Sequence, residues 1–316
     1  MDISIRENRG VTLIELMIAL VIAAILVAGI YSLFISQQQS YSVQDRVVGI
    51  QQDARAALMI MARDIRMGGF SVGPGSIAGF TDGVNIFKVP AGGSNMAIDP
   101  HNHTDEPDMI TVVFGAIRLG EVVTTSPVGT DTEIELTENV NNYFKPAGTI
   151  ISSKAYCALA LQKNLVFNVT QVDDEKIRVS NYPSGGLANN TTAYGVLAIT
   201  YSLGNDGILR RNTGTGAESL IGDGVNTFVE DLQFAYRIQG SNDWIYDNDT
   251  ASWPTGMTAA DIRMVRVSII VRTVVPDPKD TSFSRPDCED HPGDSTFPGC
   301  RRRVFTTIVT PRNMNL

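Results

Sequence analysis

Catalysis and metal binding need polar side chains gathered at workable spacings, and few such gatherings occur in this chain. His101 and His103 share the stretch DPHNHTDEPD, an H-x-H spacing that could hold a metal with Asp99, Asp105 or Glu106. The same polar, proline-flanked stretch also reads as a solvated turn. His291 stands in PDCEDHPGD among Asp287, Glu289, Asp290 and Asp294, hard oxygen ligands that would suit calcium. Their order does not follow the EF-hand loop. No G-x-S-x-G places a serine on a strand–helix elbow, and GGFSVGPGSIAG lacks the lysine and following helix of a phosphate loop. Trp244 and Trp253 flank the polar stretch DWIYDNDTASW, either as a partner surface or as packing under a hairpin. Asn102, Asn168 and Asn248 head N-x-Thr triplets that matter only in a glycosylating host. The expectation is a chain with no catalytic residue, no cofactor and no resident metal.

Cys157 stands alone in an apolar run, whereas Cys288 and Cys300 lie close together in a Pro/Gly/Asp-rich stretch. The spacing is too wide for C-x-x-C redox chemistry, and no second pair exists to complete a zinc site. In an oxidising compartment the expected state is a Cys288–Cys300 disulfide in a C-terminal loop over residues 276–303, with Cys157 buried and free.

The remaining unusual group is Glu15. It lies inside an apolar run that begins at Val11, and no further charge appears before Asp45. From Leu16 to Ile35 nearly every residue is apolar, and a helix of about 20 such residues spans roughly 30 Å, a bilayer core. A cleaved secretory signal would have a shorter apolar region and a small-residue cleavage site at its end. A plain anchor explains the length but not the carboxylate, which costs on the order of 3 kcal/mol at mid-bilayer. Glu15 therefore either snorkels to the interface or has a partner.

These residues must be positioned by the rest of the chain. Of 316 residues, 43% are hydrophobic and 19% charged, ordinary for a chain with a core, and the net charge of −9 gives no global field for nucleic acid. The basic run Arg301-Arg302-Arg303 leads into an apolar segment as a solvated strand entrance or a contact patch. Beyond Gln37-Gln38-Gln39, Val43, Val47, Ile50, Ala54, Ala57, Met61 and Ile65 recur every three or four residues, one stripe on a helix. Asp45, Gln52, Asp53, Arg55 and Arg63 mark its other face. No proline interrupts residues 11–67, and Gly68-Gly69 supplies a stop. One helix of about 55 residues, roughly 80–85 Å long, competes with two helices broken at Gly29 or Gly49. Residues 70–108 read as a long connection. From Met109 onward short β-prone runs dominate, among them MITVVF, KIRVS, VLAITYSL, FVEDLQFAYRI, RMVRVSIIVRT and RVFTTIV. Asn205-Asp206-Gly207 marks a hairpin. Val265, Val267, Ile269 and Val271 alternate with Arg266, Ser268 and Arg272, as in a strand with one wet face. The sum is an α+β fold, an antiparallel sheet laid over the second half of a long helix.

The segment RENRG-VTLIELMIALVIAAIL resembles the class III signal of type IV prepilins. The resemblance implies a leader of residues 1–10, cleavage between Gly10 and Val11 by prepilin peptidase, and N-methylation of Val11. It also implies a transmembrane helix part over 11–35, with Glu15 as the fifth mature residue. Valine departs from the usual first residue, phenylalanine or methionine. The Glu15 carboxylate would then meet the Val11 ammonium of a neighbouring subunit, a pair that penalises wrong register more than it stabilises. QQDARAALMIMARDIRMGGF, VNTFVEDLQFAYRI, RMVRVSIIVRT and RRRVFTTIVTPRN are similar to segments of the PilW family of minor pilins, related to the type II secretion pseudopilin GspJ. That likeness implies the type IV pilin fold, with residues 68–316 as a periplasmic head on a single-pass inner-membrane protein that later enters a pilus, at or near its tip; the alternatives are a J-type pseudopilin of type II secretion and an anchored periplasmic enzyme or binding protein. Implied partners are other minor pilins, the major pilin, the inner-membrane assembly platform and a large tip adhesin.

Overall fold

The computed structural model describes residues 11–73, 97–101, 106–146, 148–150, 156–159, 166–180, 182, 190–213, 216–223, 227–246, 257–277, 282–293 and 299–314. The chain divides into two compact units, Met1–Gly49 and Ile50–Leu316. Helix α1, Leu13–Met67, is 55 residues long and continuous through Gly29 and Gly49. It ends where the glycines predict, with Gly69 in the left-handed region at φ 80°.

Within the larger unit the expected stripe is buried. Ile50, Ala54, Ala57, Met61 and Ile65 are at most 3% exposed. They share one core with residues from two sheets, where the sequence pattern suggested one. The first sheet holds β1 (Ile98–His101), β2 (Met109–Val128), β3 (Asp131–Leu136), β4 (Tyr156–Leu159), β5 (Val166–Asp173), β6 (Lys176–Ser180), β7 (Thr192–Leu203), β8 (Leu209–Asn212) and β9 (Ala217–Ile221). A short helix, α2 (Asn141–Phe144), follows β3. The second sheet is β10 (Thr227–Ile238), β11 (Ile262–Thr273) and β12 (Arg302–Val309), in that order. Pairing is antiparallel throughout, and β7–β8 is the hairpin expected around Gly207, whose φ is 71°. The fold is thus α+β, a long N-terminal helix with an antiparallel head.

Strand β2 explains why the first sheet is not a simple layer. Its N-terminal part pairs with β1 and β7, and its C-terminal part pairs with β3. Register shifts at 115/117 and 118/120 mark the change, and Gly120 at φ 114° takes a conformation that other residues adopt at a cost. The pairings β2–β3–β6–β5–β4–β7 return to β2 and close a ring. Every strand of that ring contributes to a second core, with Phe144 of α2, Phe167, Ile134, Leu136 and Cys157 among its fully buried members.

One charged residue ties the helix to the first sheet. Asp64 is 5% exposed. Its Oδ2 accepts a hydrogen bond from the Tyr201 hydroxyl at 2.5 Å and from Arg211 Nε at 2.8 Å. Burial, then the neighbouring Asp64 carboxylate, pushes the Tyr201 phenol far above its ordinary range. Within an otherwise apolar helix face this is a buried ion pair with a phenol completing it.

The second sheet corrects the expectation of a wet face. Ser268 and Arg272 of β11 are buried like Val265, Val267, Ile269 and Val271, and Arg266 is half-buried. On that side Glu230 of β10 pairs with Arg272, Thr306 of β12 lies 3.0 Å from Ser268 Oγ, and residues 282–293 add Glu289. Glu289 takes Ser268 Oγ at 2.6 Å and pairs with Arg266.

Candidate functional site: the N-terminal segment

The start of α1 is built from Thr12 and Glu15. Glu15 Oε2 accepts the Thr12 backbone N–H at 2.9 Å and the Thr12 hydroxyl at 3.0 Å, while the Glu15 N–H donates to Thr12 Oγ1 at 3.3 Å. This is a capping box, Thr12 at N-cap and Glu15 at N3, satisfying donors that the first helical turn leaves without partners. A carboxylate in the first turn also sits favourably in the helix field. The T-x-x-E spacing of Thr12 and Glu15 is the sequence signal for this cap.

Around this cap the smaller unit presents an apolar surface. Val11 is 73% exposed, Leu13 77% and Phe34 58%. The helix is long and apolar enough to cross a membrane, and none of its most apolar stretch is buried within the chain. A surface of this size on a water-exposed helix would be unstable, so it calls for lipid or other helices around it. Gly10 and the leader lie outside the described residues.

The head carries the other sites named from sequence. The Cys288–Cys300 disulfide is not formed: both thiols are free and buried, as is Cys157. Cys288 instead shares a two-residue backbone bridge with His291, and Cys300 Sγ lies 3.8 Å from an Arg272 nitrogen. Ion pairs hold the segment. Glu230 takes Arg302 Nε at 2.7 Å and Arg272 Nε at 3.0 Å. Asp231 takes Arg285 at 2.5 Å, and Asp277 takes Arg301 at 2.7 Å; the His291 imidazole Nδ1 lies 3.1 Å from Asp231 Oδ2. The bulge between Val229 and Asp231 lets neighbouring carboxylates both find partners there. Arg302 is paired and withdrawn from solvent, whereas Arg301 pairs with Asp277 yet stays exposed, as Arg303 does.

Among the described residues the acidic loop does not gather ligands, and Asp294 lies outside them. Asp287 accepts the Gly293 N–H at 2.7 Å, and Glu289 is engaged by Arg266 and Ser268. Among the described residues no group of three or more His, Cys, Asp or Glu could hold a metal. His103 and the His101 side chain lie outside the described residues, as do Trp253 and the triplet asparagines Asn102 and Asn248. Trp244 lies under the guanidinium groups of Arg237 and Arg266, 4.6 and 4.4 Å from its ring centre.

Residues 5–31 match the family model described as the prokaryotic N-terminal methylation motif. Among solved structures the chain is similar to a type IV-like pilin from Thermus thermophilus. The match has 11% identity and a TM-score of 0.41, and covers 84% of this chain and 97% of that one. No curated protein matches the sequence.

Proposed function

We propose that this chain is a minor pilin of the PilW kind, made as a precursor, cut between Gly10 and Val11 and N-methylated on Val11. One observation carries the reading. The methylation-motif match over residues 5–31 covers the leader glycine, the first residues of α1 and Glu15 together. In this reading residues 11–35 anchor the precursor in the inner membrane, and residues 68–316 form the periplasmic head. The apolar helix then leaves lipid for other helices, with Glu15 of one subunit facing the Val11 ammonium of the next. Its work is association: it primes assembly of a type IV pilus and stays near the tip, against other minor pilins. The succession of head segments resembles GspJ as well, which makes a J-type role in a type II secretion pseudopilus the second reading. The length of this chain favours the pilus, because J-type pseudopilins are usually shorter.

The mass and N-terminal sequence of the protein from its native envelope test the proposal. A chain that begins at Val11 and carries one added methyl group supports it. A chain that still begins at Met1 makes the helix a static anchor and overturns it. Recovery in sheared pili, against loss of secretion on deletion, then separates the two readings.

A further inference from the structure

The larger unit contains a cleft of about 590 Å³ between the end of α1 and strands β2, β7, β8 and β9. Its floor is apolar, with Phe114, Leu197 and Leu220. Its rim carries Arg63, Arg66 and Arg312, all exposed. Arg63 and Arg66 are three residues apart on one helix face, and the Arg312 backbone N–H donates to the Arg66 carbonyl at 3.2 Å. Two separate segments thus deliver three guanidinium groups to one place. Among the described residues none of these guanidiniums makes a hydrogen bond or ion pair. The cleft's two carboxylates face a fourth lining arginine, Arg211: Asp64 binds it and Tyr201, and Glu218, largely exposed, lies 3.5 Å from it.

Like charges brought together without an anion destabilise a fold. The carbonyl end of α1 offsets this for Arg66, which sits in its last turn. It does nothing comparable for Arg63 or Arg312. The arrangement is also local, because the whole chain carries a net charge of −9. A volume of this size matches sites that bury an organic ligand or a few side chains, and a bare inorganic anion would leave the apolar floor uncovered. β9, which presents Glu218 and Leu220 to the cleft, is the outermost strand of its sheet, so an extended chain can approach from that side.

We infer that this cleft binds an acidic, partly apolar peptide segment of a partner protein. Apolar side chains cover Phe114, Leu197 and Leu220, and carboxylates pair with Arg63, Arg66 and Arg312. The inference does not depend on the pilin reading, since neither cleavage after Gly10 nor Glu15 enters it.

The test is fluorescence anisotropy with the full chain in a neutral maltoside detergent and a fluorescein-labelled peptide of alternating leucine and glutamate. The same peptide with glutamine is the control. An exposed arginine–carboxylate pair contributes up to about 1 kcal/mol, so Arg63→Glu and Arg312→Glu should each weaken binding about fivefold, and the double variant by about 25-fold. Arg303→Glu, at an exposed arginine on β12 outside the cleft, should leave it unchanged. The charge-neutral pair Arg63→Gln and Arg312→Gln should weaken binding in the same direction without lowering the melting temperature, since relieving like-charge repulsion does not destabilise the fold. Equal binding of the glutamine peptide, an equal loss with Arg303→Glu, or full competition by equimolar inorganic phosphate would each overturn the assignment.

Discussion

Replacing Asp64 by alanine removes a buried polar tie between α1 and the first sheet, and the structure fixes what that costs. The Tyr201 hydroxyl, on a fully buried side chain, loses its acceptor at 2.5 Å. A buried donor left without a partner costs about 1–3 kcal/mol. Arg211 loses a carboxylate at 2.8 Å but keeps 18% side-chain exposure and a second carboxylate, Glu218, at 3.5 Å. Its loss therefore falls well below the 3–5 kcal/mol typical of a buried pair broken on one side. The sum is about 3 kcal/mol. For a unit of this size that corresponds to a fall in Tm of about 6–12 °C.

Thermal unfolding of the full chain in neutral detergent, followed by near-ultraviolet circular dichroism, measures the change. Asp64→Asn keeps an oxygen for both donors and should lose only about 1 kcal/mol. Tyr201→Phe should likewise lose about 1 kcal/mol, and combining it with Asp64→Ala should cost less than the sum, because the phenol is then no longer stranded. A loss below 1 kcal/mol for Asp64→Ala would mean that water replaces the carboxylate, and the reasoning from burial would fail.

Three other outcomes follow from the geometry. Gly195→Ala places a Cβ 2.4 Å from the Tyr143 ring, so the variant should lose about 2 kcal/mol in a urea titration; an unchanged midpoint would show that the ring moves aside freely. Burial pushes the Cys157 and Cys288 thiols up to about 12 from 9.0, for Cys288 with a further push from Asp231 and Glu289. Both should resist a thiol reagent at pH 8 until the head unfolds. Because the folded values lie above the unfolded ones, the stability they contribute is complete below pH 9 and lost as pH rises toward 12; a head equally stable at pH 8 and pH 11 would contradict this. Glu15→Ala should leave the precursor in the membrane but lower its recovery in filaments, measured by immunoblot of sheared and membrane fractions.

Much of the architecture could be read along the chain because its signals are local. The three–four stripe from Ile50 to Ile65, the Gly68-Gly69 stop and the Asn205-Asp206-Gly207 turn each act within a few residues. Most β-prone runs became strands for the same reason. The two-sheet division could not be read, because β2 changes partner part-way along and that choice rests on strands far away in sequence. Asp64 was missed because a lone carboxylate beside an apolar stripe looks like any solvated charge until Tyr201 and Arg211 arrive from residues 137 and 147 positions later. The C-terminal segment misled through its cysteines. Its arginines and acids, scattered from Glu230 to Arg302, hold it instead.

Glu15 now has two accounts, and they differ in what they require of the side chain. The capping box needs an acceptor at N3, a role that glutamine fills nearly as well as glutamate. Pairing with a neighbour's Val11 ammonium needs the charge. The two uses need not compete, since only Oε2 is engaged by Thr12. A glutamate that only capped its own helix would make Glu15→Gln behave as wild type in both membrane insertion and filament recovery. A glutamate that also meets an ammonium among packed helices would leave that cation without its counter-charge in Glu15→Gln, a cost of several kcal/mol in an apolar surrounding. Glu15→Gln should then insert normally and fail to assemble nearly as completely as Glu15→Ala. Thr12→Val, which removes the capping hydroxyl and keeps the charge, should do the reverse, fraying the first turn by about 1 kcal/mol while assembly persists.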